Sequence, residues 1–283
     1  MIAINLKQHL RAFTMKHLLQ IFRKVGKPMQ NHPNYHYFLT KNWNQLSIEQ
    51  RKLLLVFVEK EQAIRQNRQP IPLHFQNING FGSYSRKHQC YIISTELLHN
   101  NSQRIHPRTG QIEQIFNSFE ALDTIIHEGY HREQHLLTMG NQQVMPYLQG
   151  SKREEYKRKI CENFSNYSTP NHNTKGRGHT SFPEYYLQPL EISVVMQTNS
   201  DLVFNNTLYQ DVDYQHFLRQ KIEEEKLVRL EALKVYGPDY ERTLNELREI
   251  RVIDPRLANQ REQGYRIKQE RFEKENQRLS RER

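Results

Sequence analysis

Apolar residues recur at helical spacing through residues 3–25, where Leu6, Leu10, Phe13, Ile21 and Val25 share one face. Gly26 and Pro28 end that segment. A second helix is expected from about Ser47 to Asn67. Ser47 is its N-cap, Gln50 follows three residues on, and the apolar stretch LLLVFV comes next. The pattern then changes. Leu73 and Phe75, the Gly-rich Asn79-Gly80-Phe81-Gly82, and Cys90-Tyr91-Ile92-Ile93 predict two strands about a turn. A loop containing Pro107 and Thr109-Gly110 comes next. Residues 114–139 read as one long helix through Ile115, Phe119, Leu122, Ile125 and Ile126, stopped by Gly140. Further helices are expected over 152–167, 184–204, 211–236 and 239–252. The polar segment 168–183 reads as a loop, and residues 256–283 as a solvated helix.

Composition narrows the class. The chain has 283 residues, enough for one large domain or two small ones. Its 36% hydrophobic content is low and points to exposed helical extensions. Two cysteines, Cys90 and Cys161, exclude a disulfide framework and a Cys-rich zinc site. No apolar run reaches transmembrane length. The first 27 residues interrupt every apolar stretch with a basic one, which is not the build of a secretory signal. The expected location is therefore the cytoplasm, or the exterior by a route without a classical signal peptide. The net charge of +10 is uneven, since no acidic residue precedes Glu49 while seven lysines and arginines do.

The chemistry gathers in the long helix. His127 and His131 are four residues apart, so both imidazoles lie on one face and can share a cation. Glu128 sits beside the first of them. There its carboxylate can take a proton from an attacking water without becoming a ligand. This is the mechanical logic of H-E-x-x-H, and Zn2+ is the ion it suits. The simpler reading is a pair of surface histidines on an amphipathic helix.

A third ligand has to come from elsewhere. His135 continues the series but lies about 12 Å along the axis from His127, too far to share an ion in a straight helix. It reads as a residue supporting the ligands, or as surface. Glu191 is the favoured candidate, at the start of an expected helix in Pro183-Glu184-Tyr185-Tyr186-Leu187-Gln188-Pro189-Leu190-Glu191. Glu184, His172 and His179 are alternatives. Tyr185, Tyr186 and Tyr130 are candidates to stabilise an oxyanion, although tyrosines at such positions more often pack. Asp123, one turn before His127, is a candidate to orient an imidazole.

The segments Asp123–His131, Asn163-Phe164-Ser165-Asn166-Tyr167 and Tyr185–Glu191 resemble bacterial zincin-like metallopeptidase domains of the toxin or effector kind. There a TxxHExxH helix is followed by an NY segment and a YxxQPxE helix. The resemblance spans roughly residues 70–210. It implies a gluzincin-type site with His127, His131 and Glu191 as ligands, Glu128 as base and Zn2+ as cofactor. The expected fold is α+β: a mostly helical zincin-like domain with a small antiparallel sheet beside the active helix, plus helical N- and C-terminal extensions. The corresponding division is a basic N-terminal helical region (1–69), a metallopeptidase core (70–210) and a charged helical extension (211–283).

Three functions compete at this level. The first is a zinc metallopeptidase acting on a peptide or protein substrate, with a cognate inhibitor as a further candidate partner. The second is a basic nucleic-acid-binding protein with an incidental HExxH; the basic N-terminus would equally suit an anionic surface. The third is a non-catalytic structural zinc protein.

Overall fold

The computed structural model describes residues 33–78, 80–105, 112–146, 148–165, 189–203, 205, 207–221 and 230. The expected helices at 3–25 and 239–252, and the loop at 168–183, lie outside these residues.

A 3-10 segment (Pro33–Phe38) and a helical turn (Thr40–Trp43) lead into helix α1 (Ile48–Arg65). Ser47 caps α1 as expected. Its Oγ accepts from the Gln50 N–H at 3.3 Å, while Gln50 Oε1 accepts from the Ser47 N–H at 2.8 Å. Two backbone donors of the first turn are thereby satisfied.

Three strands follow: β1 (Leu73–Gln76), β2 (Gly82–Ser85) and β3 (Cys90–Ser94). Their order is β1-β3-β2, with β1 parallel and β2 antiparallel to β3. The sheet is therefore mixed, not antiparallel, and has one strand more than expected. The Gly-rich segment does not close a hairpin between two apolar strands. It carries the chain past the width of β3 into the polar strand Gly82-Ser83-Tyr84-Ser85, and β3 then slots between. Strands lie about 4.8 Å apart, so the five residues between β1 and β2 easily span two spacings.

A second pair, β4 (Ser102–Ile105) and β5 (Ile112–Ile115), is antiparallel. The sequence reading missed this hairpin, because Ile115 also fits the helical spacing of the next element. Helix α2 (Asn117–Thr138) starts where Asn117 Nδ2 donates to the carbonyls of Glu96 and Asn100 at 3.0 and 2.9 Å. It ends at Gly140, whose φ of +84° lets the Gly140 and Asn141 N–H groups turn back to Leu137 and Leu136. Helices α3 (Gly150–Ser165) and α4 (Pro189–Val203) follow, then α5 (212–221). Pro189 opens α4, where its missing N–H costs nothing.

The architecture is α+β and predominantly helical. Helix α2 is its axis, packed against α1, β2, α3 and α4. The main core joins Tyr35, Phe38 and Trp43 with Leu55 and Val58 of α1, Ile93 of β3, Phe119, Leu122 and Ile125 of α2, and Tyr214 and Phe217 of α5. It thus draws on residues before 70 and after 210 as well as those between. A smaller cluster of Leu137, Val144, Met145, Leu148, Tyr156, Ile160 and Leu190 seats α3. Among the described residues, no helix is long and apolar enough to cross a membrane.

Helices α1 and α2 meet at Gly129. A Cβ built there would lie 2.0 Å from Gln62 Oε1. Gln62 is fully buried and donates to the Ile126 carbonyl at 2.7 Å, so it cannot move aside without losing that bond. Gly129→Ala should therefore destabilise the protein by about 2 kcal/mol, despite alanine's better helix propensity. Adding Gln62→Ala should make the double variant more stable than the sum of the single changes. Urea unfolding of the four proteins measures this coupling, and simple additivity would show that no such contact exists.

Candidate metal centre

Helix α2 brings His127 and His131 together through its own pitch, with their Nε2 atoms 3.0 Å apart. Glu191, in the first turn of α4, faces them both. Its Oε1 is 3.3 Å from His131 Nε2 and its Oε2 is 3.5 Å from His127 Nε2. One ligand atom from each residue lies within 4.8 Å of the other two. Glu191 is fully buried, while His127 is partly exposed. Among the described residues, Glu191 is the candidate third ligand that lies beside the two histidines. Glu184, Tyr185, Tyr186, His172 and His179 lie outside the described residues.

The spacing can be tested against the ion. Zinc bound tetrahedrally by nitrogen and oxygen at about 2.0–2.1 Å keeps its ligand atoms about 3.3–3.4 Å apart. The two imidazole nitrogens are 3.0 Å apart, and Glu191 approaches them at 3.3 Å through Oε1 and 3.5 Å through Oε2, each close to that value. Two imidazoles and one carboxylate are also a donor set that zinc takes with a fourth position open. The residues present therefore fit the ion.

Charge in the site is tightly coupled. Burial opposes ionisation of Glu191, but His131 and His127 more than offset it and hold the carboxyl well below its usual value. Burial works to lower the His131 imidazole, yet the charge and hydrogen bond of Glu191, with Glu128, push it up to about 9. The site thus favours a cation at His131 Nε2, whether a proton or a metal. Burial pushes the Glu128 carboxyl up; His131 and His127 pull it back, Glu191 adds to the rise, and a backbone hydrogen bond from Tyr84 lowers it. A carboxylate raised in this way suits a group that must both take and return a proton.

Two contributors escaped the sequence reading. Gln134, fully buried, has its Oε1 at 3.2 Å from His131 Nδ1 and its Nε2 at 3.0 Å from the Leu190 carbonyl. Its position three residues after His131 on the same helix was the available signal. Tyr84 comes from the polar strand β2, and nothing in its surroundings marked it.

The other expected residues are placed elsewhere. The Asp123 carboxylate takes the Lys221 ammonium at 2.7 Å, beside Glu120 at 2.9 Å. Tyr130 donates to Asp201 Oδ2 at 2.5 Å, and Arg65 reaches the same oxygen at 3.3 Å. This arrangement ties α1 and α2 to the far end of α4. His135 meets Tyr84 Oη through Nδ1 at 2.8 Å and packs against Phe164.

No protein-family model matches the chain. No curated protein and no solved structure matches it either.

His135 supplies a pH prediction. Arg132 Nη1 donates to Tyr84 Oη at 2.8 Å, which leaves the Tyr84 proton available to a neutral His135 at Nδ1. Burial, Arg132 and Arg86 all lower its pKa from 6.5. Below pH 6.5 the unfolded chain gains a proton at His135 that the folded chain refuses. This contribution to stability is present above pH 6.5 and is lost as pH falls towards the lowered folded value. His135→Gln keeps an acceptor for Tyr84 without titrating. Urea midpoints at pH 7.5 and 5.5 should therefore drop less in the variant than in the wild type; equal drops would contradict the assignment.

Proposed function

We propose that the protein is a zinc-dependent hydrolase of peptide or other amide bonds, with Glu128 as general base and His127, His131 and Glu191 as metal ligands. The observation that carries this reading is the convergence of His127, His131 and Glu191, one donor atom of each within 4.8 Å of the others, with the buried Glu128 carboxylate one residue from the first of them. A bare HExxH has far less force than an HExxH whose third donor arrives from another helix at the right distance.

When bound, the ion would supply Lewis acidity to the amide carbonyl and make a neighbouring water acidic enough to attack at neutral pH. His127 and His131 present lone pairs from one rigid helix face, and Glu191 closes the site with a negative charge. Glu128 takes the proton from the attacking water and delivers it to the departing nitrogen. Its raised pKa makes the first transfer, from the water to the carboxylate, easier than it would be for an ordinary glutamate. The Tyr84 N–H steadies the Glu128 carboxylate from strand β2. Strand β2 lies at the edge of its sheet, the position at which an extended substrate would add a strand.

Two variants test this reading. Elemental analysis should find about one zinc per wild-type chain and almost none in His131→Ala. Glu128→Gln should retain the zinc, since Glu128 is not a ligand, and lose hydrolysis by at least about a hundredfold on a peptide library. Full activity in Glu128→Gln would exclude this mechanism. Zinc that is retained and supports folding, with no hydrolysis by the wild type, would favour a structural metal instead.

A further inference from the structure

We infer that Gln134 is the positioning residue of the metal centre, setting the proton on His131 and the seat of Glu191 through one side chain. The inference rests on reading His127, His131 and Glu191 as ligands. Its starting point is a group whose role is fixed. The Leu190 carbonyl can only accept, so the Gln134 atom 3.0 Å away must be the amide nitrogen. The same nitrogen reaches Tyr156 Oη at 3.2 Å. The amide oxygen must then be the atom 3.2 Å from His131 Nδ1. An oxygen there demands a donor, so Nδ1 carries a proton and Nε2 is the nitrogen left to offer a lone pair to an ion. Nε2 faces His127 Nε2 and Glu191 Oε1.

The other end of the amide acts on the third ligand. Leu190 immediately precedes Glu191, so its carbonyl fixes the backbone from which that carboxylate springs. Gln134 is fully buried and so is Glu191, which leaves neither side chain room to drift. One residue of α2 thus couples a ligand on its own helix to the ligand on α4, and Tyr156 braces it from α3. The partner of His131 here is a neutral amide. A carboxylate in that place would make the imidazole more basic.

The test uses the full chain and zinc alone, with affinity measured by chelator competition and folding by circular dichroism. Gln134→Met fills a similar volume without hydrogen bonds and should bind zinc about 10- to 100-fold more weakly. Gln134→Glu restores an acceptor opposite His131 Nδ1 but sets an oxygen against the Leu190 carbonyl, so it should bind zinc more tightly than Gln134→Met and more weakly than the wild type. Tyr156→Phe removes the brace without touching His131 and should stay within about twofold.

Zinc affinity in Gln134→Met equal to the wild type would overturn the inference while leaving the metal site standing. So would folded Gln134→Glu binding no better than Gln134→Met, or Tyr156→Phe losing as much as Gln134→Met, since the effect would then be helix packing alone. A wild type that takes up no zinc overturns the metal reading, and this inference with it.

Discussion

A helix buried on nearly every side has nowhere to send its polar side chains, and α2 is such a helix. Its buried positions include Glu120, Thr124, Glu128, His131, Arg132, Glu133 and Gln134 as well as its aliphatic residues. A buried polar group without a partner is costly, so each neighbouring element has to supply one. Strand β2 supplies Tyr84 to Arg132, α1 and the residues after it supply Gln66 to Glu133, and α4 supplies the Leu190 carbonyl to Gln134. The surrounding elements are thus held in register by hydrogen bonds as well as by apolar contact. Deeper in the wall, Arg68 and Glu59 form a buried pair at 2.6 Å, with Tyr91 of β3 on the same guanidinium. Such a pair adds little net stability, because removing both charges from water costs much of what their attraction returns.

The site follows from this enclosure. Two of its donors are local, because helical pitch alone brings positions 127 and 131 together. The third depends on where α4 lies. Both ends of α4 are pinned to α2: Leu190 near its start by Gln134, and Asp201 near its end by Tyr130. Arg65 adds α1 to the second anchor. A displacement of α4 by one residue would move Glu191 about 1.5 Å along its axis and about 100° around it, away from the imidazoles. The anchors at the two ends oppose that slip.

The legibility of the sequence divides along the same line. Helix α1 with its Ser47 cap, the stop of α2 at Gly140 and the pairing of His127 with His131 are local features, and spacing was enough to find them. Glu191 was found because the segment before it resembles a motif and because a carboxylate suits the ion, not through any periodicity. Strand β2 was hidden by its polar Gly-Ser-Tyr-Ser composition. Tyr84 is its one large apolar side chain, so alternation had nothing to report. The hairpin β4–β5 was absorbed into the reading of α2, because Ile115 satisfies both periods. Asp123 looked well placed one turn from His127. Its actual partner, Lys221, is almost a hundred positions away in sequence, a pairing that no local pattern encodes.

The two cysteines give the molecule a built-in pair of reporters. Cys161 is exposed on α3, whereas Cys90 is buried at the start of β3 and burial pushes its thiol up, away from the reactive thiolate. An alkylating reagent will therefore modify the two sites at very different rates. The fast reaction attaches a probe to the outer face of α3 and leaves the core intact. The slow one proceeds only as often as β3 is uncovered, so its rate is a clock for the opening of the sheet that flanks the candidate site.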